Sequence, residues 1–228
     1  MARKKSVVNH FSTMQTSSPC CPLCKHQQTQ EYYQDRRRPY FQCNECGLVF
    51  VPDSFHISAE LEKAEYDLHQ NSFEDEGYRR FLSRAFDPIA QRIPVPATGL
   101  DFGCGPGPVL ASMFSEFGYE MQTYDPYYAP DISVLEQSYD FITCTEVIEH
   151  VSQPDQVFPL LINRLSVNGV LLIMTKRVRD REAFASWHYK NDQTHICFYC
   201  EPTFDWIAQQ YGLIVDFIGS DVVLFKKS

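Results

Sequence analysis

Four cysteines stand in two pairs, Cys21-Pro-Leu-Cys24 and Cys43-Asn-Glu-Cys46, with 18 residues between the pairs. Two Cys-x-x-Cys knuckles at this separation bring four thiolates within reach of one tetrahedral ion, and Gly47 follows where a residue able to take positive φ is needed. The expected ion is zinc. Four thiolates leave no open coordination position, so this zinc should hold structure and perform no chemistry. Cys20 breaks the two-residue spacing and stays outside the set. Cys197-Phe-Tyr-Cys200 lacks a second pair and reads as two free thiols near a strand or helix end.

A second locus is Gly99-Leu-Asp-Phe-Gly-Cys-Gly-Pro-Gly107, a glycine-rich turn after a short apolar stretch. Gly103, Gly105 and Gly107 would let a ligand approach the backbone closely. No Lys-Ser or Lys-Thr follows, which excludes a phosphate-gripping loop, and the alternating glycines miss the Gly-x-Gly-x-x-Gly spacing of dinucleotide sites. Asp101 ahead of the turn would repel a pyrophosphate but suits an ammonium group. Asp125, about twenty residues on, is placed to accept both hydroxyls of a ribose.

The third locus is Glu146-Val-Ile-Glu149-His150, joined at a distance by His195. Glu146, Glu149 and His150 can meet at one helix start if the segment is helical. Two chemistries are open to them. Glu146, Glu149, His150 and His195 could hold magnesium or another divalent ion; without metal, His150 or His195 would act as a general base with Glu146 near the cofactor. His188 reads as a packing or pocket residue.

These loci need elements to carry them. Residues 20–50 show no helical period and read as a metal-stapled ribbon. From about 58 to 93 the apolar spacing is helical, and Pro94 and Pro96 mark a linker. Strand and helix signals then alternate: strands at 99–102, 121–124, 141–143 and 170–175, helices at about 108–117 and 155–165. A last helix at about 202–211 precedes two strands, 214–218 and 222–225, that form an antiparallel hairpin. The expected fold is α/β, a Rossmann-like mostly parallel sheet with that terminal hairpin and a small N-terminal zinc ribbon. The expected divisions are 1–19 as a disordered basic tail, 20–52 as the ribbon, 53–96 as a helical lid or linker and 97–228 as the main domain.

The order of motifs resembles the class I S-adenosylmethionine (SAM)-dependent methyltransferases over roughly residues 60 to 228. It is carried by Asp101 to Gly107, Asp125, the run Tyr139-Asp-Phe-Ile-Thr-Cys-Thr-Glu146 and Asn168-Gly-Val-Leu-Leu-Ile-Met. The resemblance implies that Asp101, Gly103, Cys104, Gly105 and Gly107 face the methionine end of SAM and that Asp125 and Pro126 face the ribose. Thr143 to Glu146, Thr145 included, would line its far side. Tyr66, His69, Tyr78 and Arg79 precede the sheet, where this family carries helices over the cofactor; they are either carboxylate contacts and lid or the solvated face of an ordinary helix. One departure is visible: only 14 residues separate Asp125 from Asp140, where the family fits a helix and a strand, and Pro126 and Pro130 argue for a loop. The Glu-x-x-Glu-His run with a distant His looks like the divalent-metal site of the small-RNA 3′-terminal ribose 2′-O-methyltransferases and the ubiquinone-pathway catechol O-methyltransferases.

Composition bounds the rest. With 228 residues, 44% hydrophobic and a net charge of −9, the chain is one ordinary domain with a small appendage. No apolar run approaches the ~18 residues that cross a bilayer, so a cytoplasmic protein without membrane contact is expected. Seven basic against three acidic residues give residues 1–50 a charge of +4, leaving −13 for the remainder. The favoured activity is O-methylation of a hydroxyl-bearing metabolite, with Trp187, Tyr189, Phe198 and Tyr199 as pocket wall. The alternatives are RNA ribose or base methylation, with local RNA contact through Arg36–Arg38, Tyr32, Tyr33, Tyr40 and Phe41, and a non-enzymatic scaffold whose ribbon docks a protein partner.

Overall fold

A computed structural model describes residues 18–68 and 72–228. The expected tail at 1–19 falls almost wholly outside the described residues, and His69 falls outside them too.

Two sheets organise the chain. The first begins with β1 (Thr29–Gln34), β2 (Pro39–Cys43) and β3 (Val49–Phe50). The second contains β4 (Thr98–Phe102), β5 (Glu120–Tyr124), β6 (Tyr139–Thr145) and β7 (Leu165–Met174), all parallel in the order β5-β4-β6-β7. The short strand β8 (Cys197–Phe198) belongs to the first sheet and lies antiparallel to β3. Strands β9 (Leu213–Ile218) and β10 (Val222–Lys227) form the expected hairpin, and β10 pairs antiparallel with β7. The ribbon is therefore not a separate module: its fourth strand comes from residue 197 onward, and Val51 N–H bonds Ile196 O at 2.9 Å.

Alternation along the strands builds a core on each face of the large sheet. Phe141, Leu172, Met174 and Leu224 pack on one side against α2 (Glu76–Ala90) and α3 (Val109–Phe117). Ile142, Cys144, Ile173 and Phe225 face the other, against α4 (Pro154–Asn163) and α6 (Glu201–Tyr211). The ribbon side chains Tyr32, Tyr40 and Phe50 join this second core. The helical stretch expected at 58–93 is two helices, α1 (Ala59–Tyr66) and α2. Asp75 starts the second by accepting from Gly77 and Tyr78 N–H, the usual device of an acidic N-cap. The segment between Asp125 and Asp140 is a loop with a single 3-10 turn at Ile132–Glu136, so β5 is left as the sheet edge. No helix among the described residues is long and apolar enough to cross a membrane.

Phe141 is fully buried between Phe114 and Tyr119, with ring centroids 4.9 and 5.1 Å away. Phe141→Ala should cost about 3–5 kcal/mol of unfolding free energy in a urea titration; a loss under about 1 kcal/mol would contradict the packing described.

Candidate active site and zinc ribbon

The C-terminal ends of the parallel strands open into a cavity of about 850 Å³, the place where open α/β sheets hold ligands. The glycine turn after β4 forms one wall. Gly103 has φ 76°, and a Cβ there would lie 2.3 Å from Val147 Cγ2. Gly105 has φ 64° and no atom within 4 Å of where a Cβ would stand, so its backbone is open to a ligand. Its N–H donates to Asp125 Oδ2 at 3.1 Å, while Asp125 Oδ1 accepts from Tyr127 and Tyr128 N–H. One carboxylate thus ties the glycine turn to the loop after β5.

Cys104, Asp125, Pro126, Thr145 and Glu146 line the cavity as expected. Four expected residues, Asp101, Gly107, Thr143 and Cys144, do not, the last two being fully buried within β6. Gly107 is buried behind the turn, its carbonyl accepting from Val109 N–H. Asp101 lies beneath the turn, 4% exposed, and accepts from Thr143 Oγ1 at 2.8 Å. Burial pushes its carboxyl up to about 6, against the Thr143 hydrogen bond.

The lid side is α1. Tyr66 lines the cavity, stacks edge-on to His150 at 5.3 Å, and donates to Glu62. Tyr127 and Tyr128, from the loop after β5, donate to Glu62 and Asp67, so two tyrosines fasten this helix over the opening. Tyr78 also lines the cavity, whereas Arg79 points away and pairs with Glu116 on α3.

His150 and His195 line the cavity and Glu149 lies fully buried behind its wall, and each of the three offers a ligand atom within 4.8 Å of the others. Glu146 stands outside this group, because its backbone turns left-handed at φ 53° as β6 ends and re-aims the side chain. Such a φ on a non-glycine residue is strained and clusters at functional sites. Glu146 Oε1 and Glu149 Oε2 are buried with no hydrogen-bond partner. The Tyr189 hydroxyl donates to Glu149 Oε1 and lies 3.4 Å from Glu146 Oε2. Burial pushes Glu146 up to about 7 and, with the neighbouring Glu146 charge, Glu149 up to about 8. His195 Nδ1 lies 2.7 Å from Tyr189 O, a geometry that puts the ring proton on Nδ1 and leaves Nε2 basic. Burial holds this imidazole below its ordinary pKa, hence neutral near pH 7. A neutral ring with Nε2 unprotonated can accept a proton or bind a metal.

His188 lines the same cavity, its Nε2 3.1 Å from Lys176 Nζ. Of the expected aromatic wall only Tyr189 borders this space; Phe198 and Tyr199 are core residues, fully enclosed because β8 is a strand of the ribbon sheet. Sequence reasoning missed Lys176. Its place just after a continuously apolar strand, at the ligand end of a parallel sheet, is the signal that marks it.

In the ribbon, Cys21 and Cys46 sulfurs are 3.6 Å apart and Cys24 and Cys43 sulfurs 3.3 Å. All four lie within 4.8 Å of one another, which fits a tetrahedral thiolate site. The close Cys46 thiol lowers Cys21 to about 6. Part of the basic aromatic face expected for RNA is turned inward, while Arg36 and Arg37 stay exposed and Tyr33 and Phe41 half-buried. Arg38, 3% exposed, donates Nη1 to Gln193 O and shares Nη2 among the carbonyls of Lys190, Asp192 and His195. Its Nε donates to Tyr40 Oη. Arg37 donates to Asn191 O, and Tyr32 and Tyr40 are buried. The chain's own loop at 190–195 thus takes up Arg38 and Tyr40 from the surface that the sequence suggested for RNA.

A family model described as a methyltransferase domain matches residues 72–216. No curated protein matches the sequence. Among solved structures, magnesium protoporphyrin IX methyltransferase from Synechocystis with bound SAM aligns at TM-score 0.51 and 13% identity, over 75% of this chain and 92% of that one. A SAM-dependent methyltransferase from Archaeoglobus fulgidus aligns at TM-score 0.49 and 16% identity, over 75% and 100%. An O-methyltransferase family protein from Burkholderia thailandensis aligns at TM-score 0.49 and 14% identity, over 73% of this chain and 63% of that chain, so this chain spans under two thirds of its length. At these identities the likeness is one of fold.

Cys43→Ser should abolish bound zinc and lower the thermal midpoint of the whole chain, since β3 is wedged between β2 and β8. One equivalent of zinc retained in that variant, measured by elemental analysis, would contradict the four-cysteine site.

Proposed function

The chain belongs to the methyltransferase-domain family and is a class I SAM-dependent methyltransferase, and from that premise we propose that it methylates a hydroxyl oxygen of a small or medium-sized metabolite. The observation that carries the acceptor chemistry is His195, a buried neutral imidazole with a basic Nε2 beside Glu149, whose Oε2 has no hydrogen-bond partner. SAM would supply a methyl group on a positively charged sulfur, already activated for attack. The protein's task is then to align the acceptor and take its proton.

The cofactor half of the cavity is assigned as follows. Gly103, Cys104 and Gly105 offer backbone to the methionine end, and Asp101 beneath them supplies negative potential for its ammonium. Asp125 and Pro126 stand where a ribose would lie. Thr145 and Glu146 form the opposite wall, with Tyr66 on α1 above. The fit rests on the open space over Gly105 and on the cavity volume, which lies within the ordinary range for cofactor sites.

On the acceptor side, His195 Nε2 accepts the hydroxyl proton while the Lys190–His195 backbone, clamped by Arg38, fixes the ring. A second reading is favoured by Glu149 Oε2, buried without a partner: a divalent ion held by Glu149, His150 and His195 would bind the acceptor oxygen and lower its pKa. Two imidazoles and one carboxylate suit manganese, iron or zinc better than magnesium. Glu146, outside the three, is then a cofactor-side residue. An RNA acceptor has less support, since Arg38, Tyr32 and Tyr40 are committed to internal contacts.

Incubating methyl-tritiated SAM with cell extract and the protein should place label in a low-mass organic fraction; label in nuclease-sensitive polymer would overturn the metabolite reading. Glu149→Ala and His195→Ala should fold and still bind SAM, yet lose at least about a hundredfold in transfer. Addition of divalent cations after mild chelation restores wild-type activity only under the metal reading. The ionised Asp101 carboxylate is the form that attracts an ammonium, and its pKa is held at about 6. SAM affinity measured by calorimetry should therefore rise with pH through about 6, and Asp101→Asn should flatten that rise. An unchanged profile in Asp101→Asn would remove Asp101 from the site.

A further inference from the structure

Beside the cofactor cavity lies a second one, of about 730 Å³, between the ribbon, the C-terminal end of β7 and the N-terminal end of β10. The ribbon supplies Tyr32 and Gln42 to its lining, and the remaining wall is unusually cationic for a chain of charge −9. Arg84, Lys176, Arg177 and Arg179 border it against only Glu201 and Asp221. Two of the four cations are spent within the fold. Arg84 pairs with Asp221, and Arg177 pairs with Glu201 at 3.4 Å while donating to the carbonyls of Val222 and Gly219. The other two form no ion pair among the described residues. Lys176 Nζ lies 3.1 Å from His188 Nε2 and over the Tyr189 ring, and its charge acts on the Glu146 carboxyl across the first cavity. Arg179 is exposed and has no hydrogen bond or ion pair among the described residues.

The two cavities are adjoining. Lys176 borders both, and the Tyr189 ring in the first stands 5.0 Å from the Trp187 ring in the second. We propose that the second cavity holds an oxyanion, carboxylate or phosphate, borne by the acceptor substrate, whose hydroxyl reaches His195 past Lys176. The inference rests on the methyltransferase reading above and adds the substrate class: an amphipathic acid. Trp187 and Tyr32 cover its apolar stem, and Lys176 and Arg179 bind its anionic end by charge-assisted hydrogen bonds. This also gives the ribbon a use beyond structure, as one wall of the acceptor site.

The test uses the full zinc-loaded chain saturated with S-adenosylhomocysteine, so that the cofactor half is filled, at low ionic strength. Inorganic phosphate and malonate are titrated separately by calorimetry. Saturable binding of either is expected, with phosphate the tighter if the tail is a phosphate ester and malonate if it is a carboxylate. Arg179→Ala, at an exposed residue without partners and so harmless to folding, should weaken binding about tenfold. Lys226→Ala, exposed and outside the cavity, should leave it unchanged. Absence of saturable binding, equal affinity in Arg179→Ala, or an equal loss in Lys226→Ala would overturn the proposal. Failure of the wild-type chain to bind S-adenosylhomocysteine would instead strike the methyltransferase reading itself, which keeps the two failures apart.

Discussion

A buried guanidinium holds the acceptor half of this molecule together. The segment between α5 (Arg181–Ser186) and β8 has only a short 3-10 turn, yet its carbonyls lie in the interior where they need donors. Arg38 supplies them from the ribbon, reaching the carbonyls of Lys190, Asp192, Gln193 and His195. Burying a charged fork of this kind is tolerable only because its donors are matched, and the match works in both directions. The loop needs the arginine, and the arginine has nowhere else to place its charge. Because β2 carries both Tyr40 and Cys43, the four-cysteine cluster and the loop bearing His195 are mechanically one unit.

The cofactor half depends on different bonds. The glycine turn is fastened to β5 through Gly103 and Cys104 N–H on Tyr124 O, and to the following loop through Asp125. None of these contacts passes through the ribbon. Glu146 and Glu149 sit where the two halves meet, and both are held above the ordinary carboxylate range by burial. Two acids whose protonation is shifted toward neutrality, next to a histidine shifted below its usual value, are what an acid–base site at ordinary pH needs. That these groups are also left short of hydrogen-bond partners places the cost of the arrangement at the site itself.

Much of this was legible in the residues. The paired cysteines, the glycine turn with Asp101 and Asp125, and the apolar runs of the parallel strands are local patterns, and local geometry enforces them. Pro126 and Pro130 correctly announced a loop in place of a helix and strand. What failed to show is long-range. Nothing near Arg38 says that its partners lie more than 150 residues away, so a run of arginines beside tyrosines read as an exposed nucleic-acid face. Phe198 and Tyr199 read as pocket wall because pairing of so short a strand with β3 has no signature in the sequence. Glu146 looked like a fourth ligand because helical spacing was assumed where the chain turns left-handed. Gly107 was grouped with its neighbours by spacing alone, though it lies behind them.

The ribbon holds the loop bearing His195 through Arg38, while the sheet holds the glycine turn by bonds of its own. Amide hydrogen exchange on Arg38→Ala saturated with S-adenosylhomocysteine tests this division directly. Residues 188–196 should lose protection while the turn at 99–107 and the loop at 125–129 keep theirs. Unchanged exchange at 188–196, or loss of protection in both halves together, would contradict it.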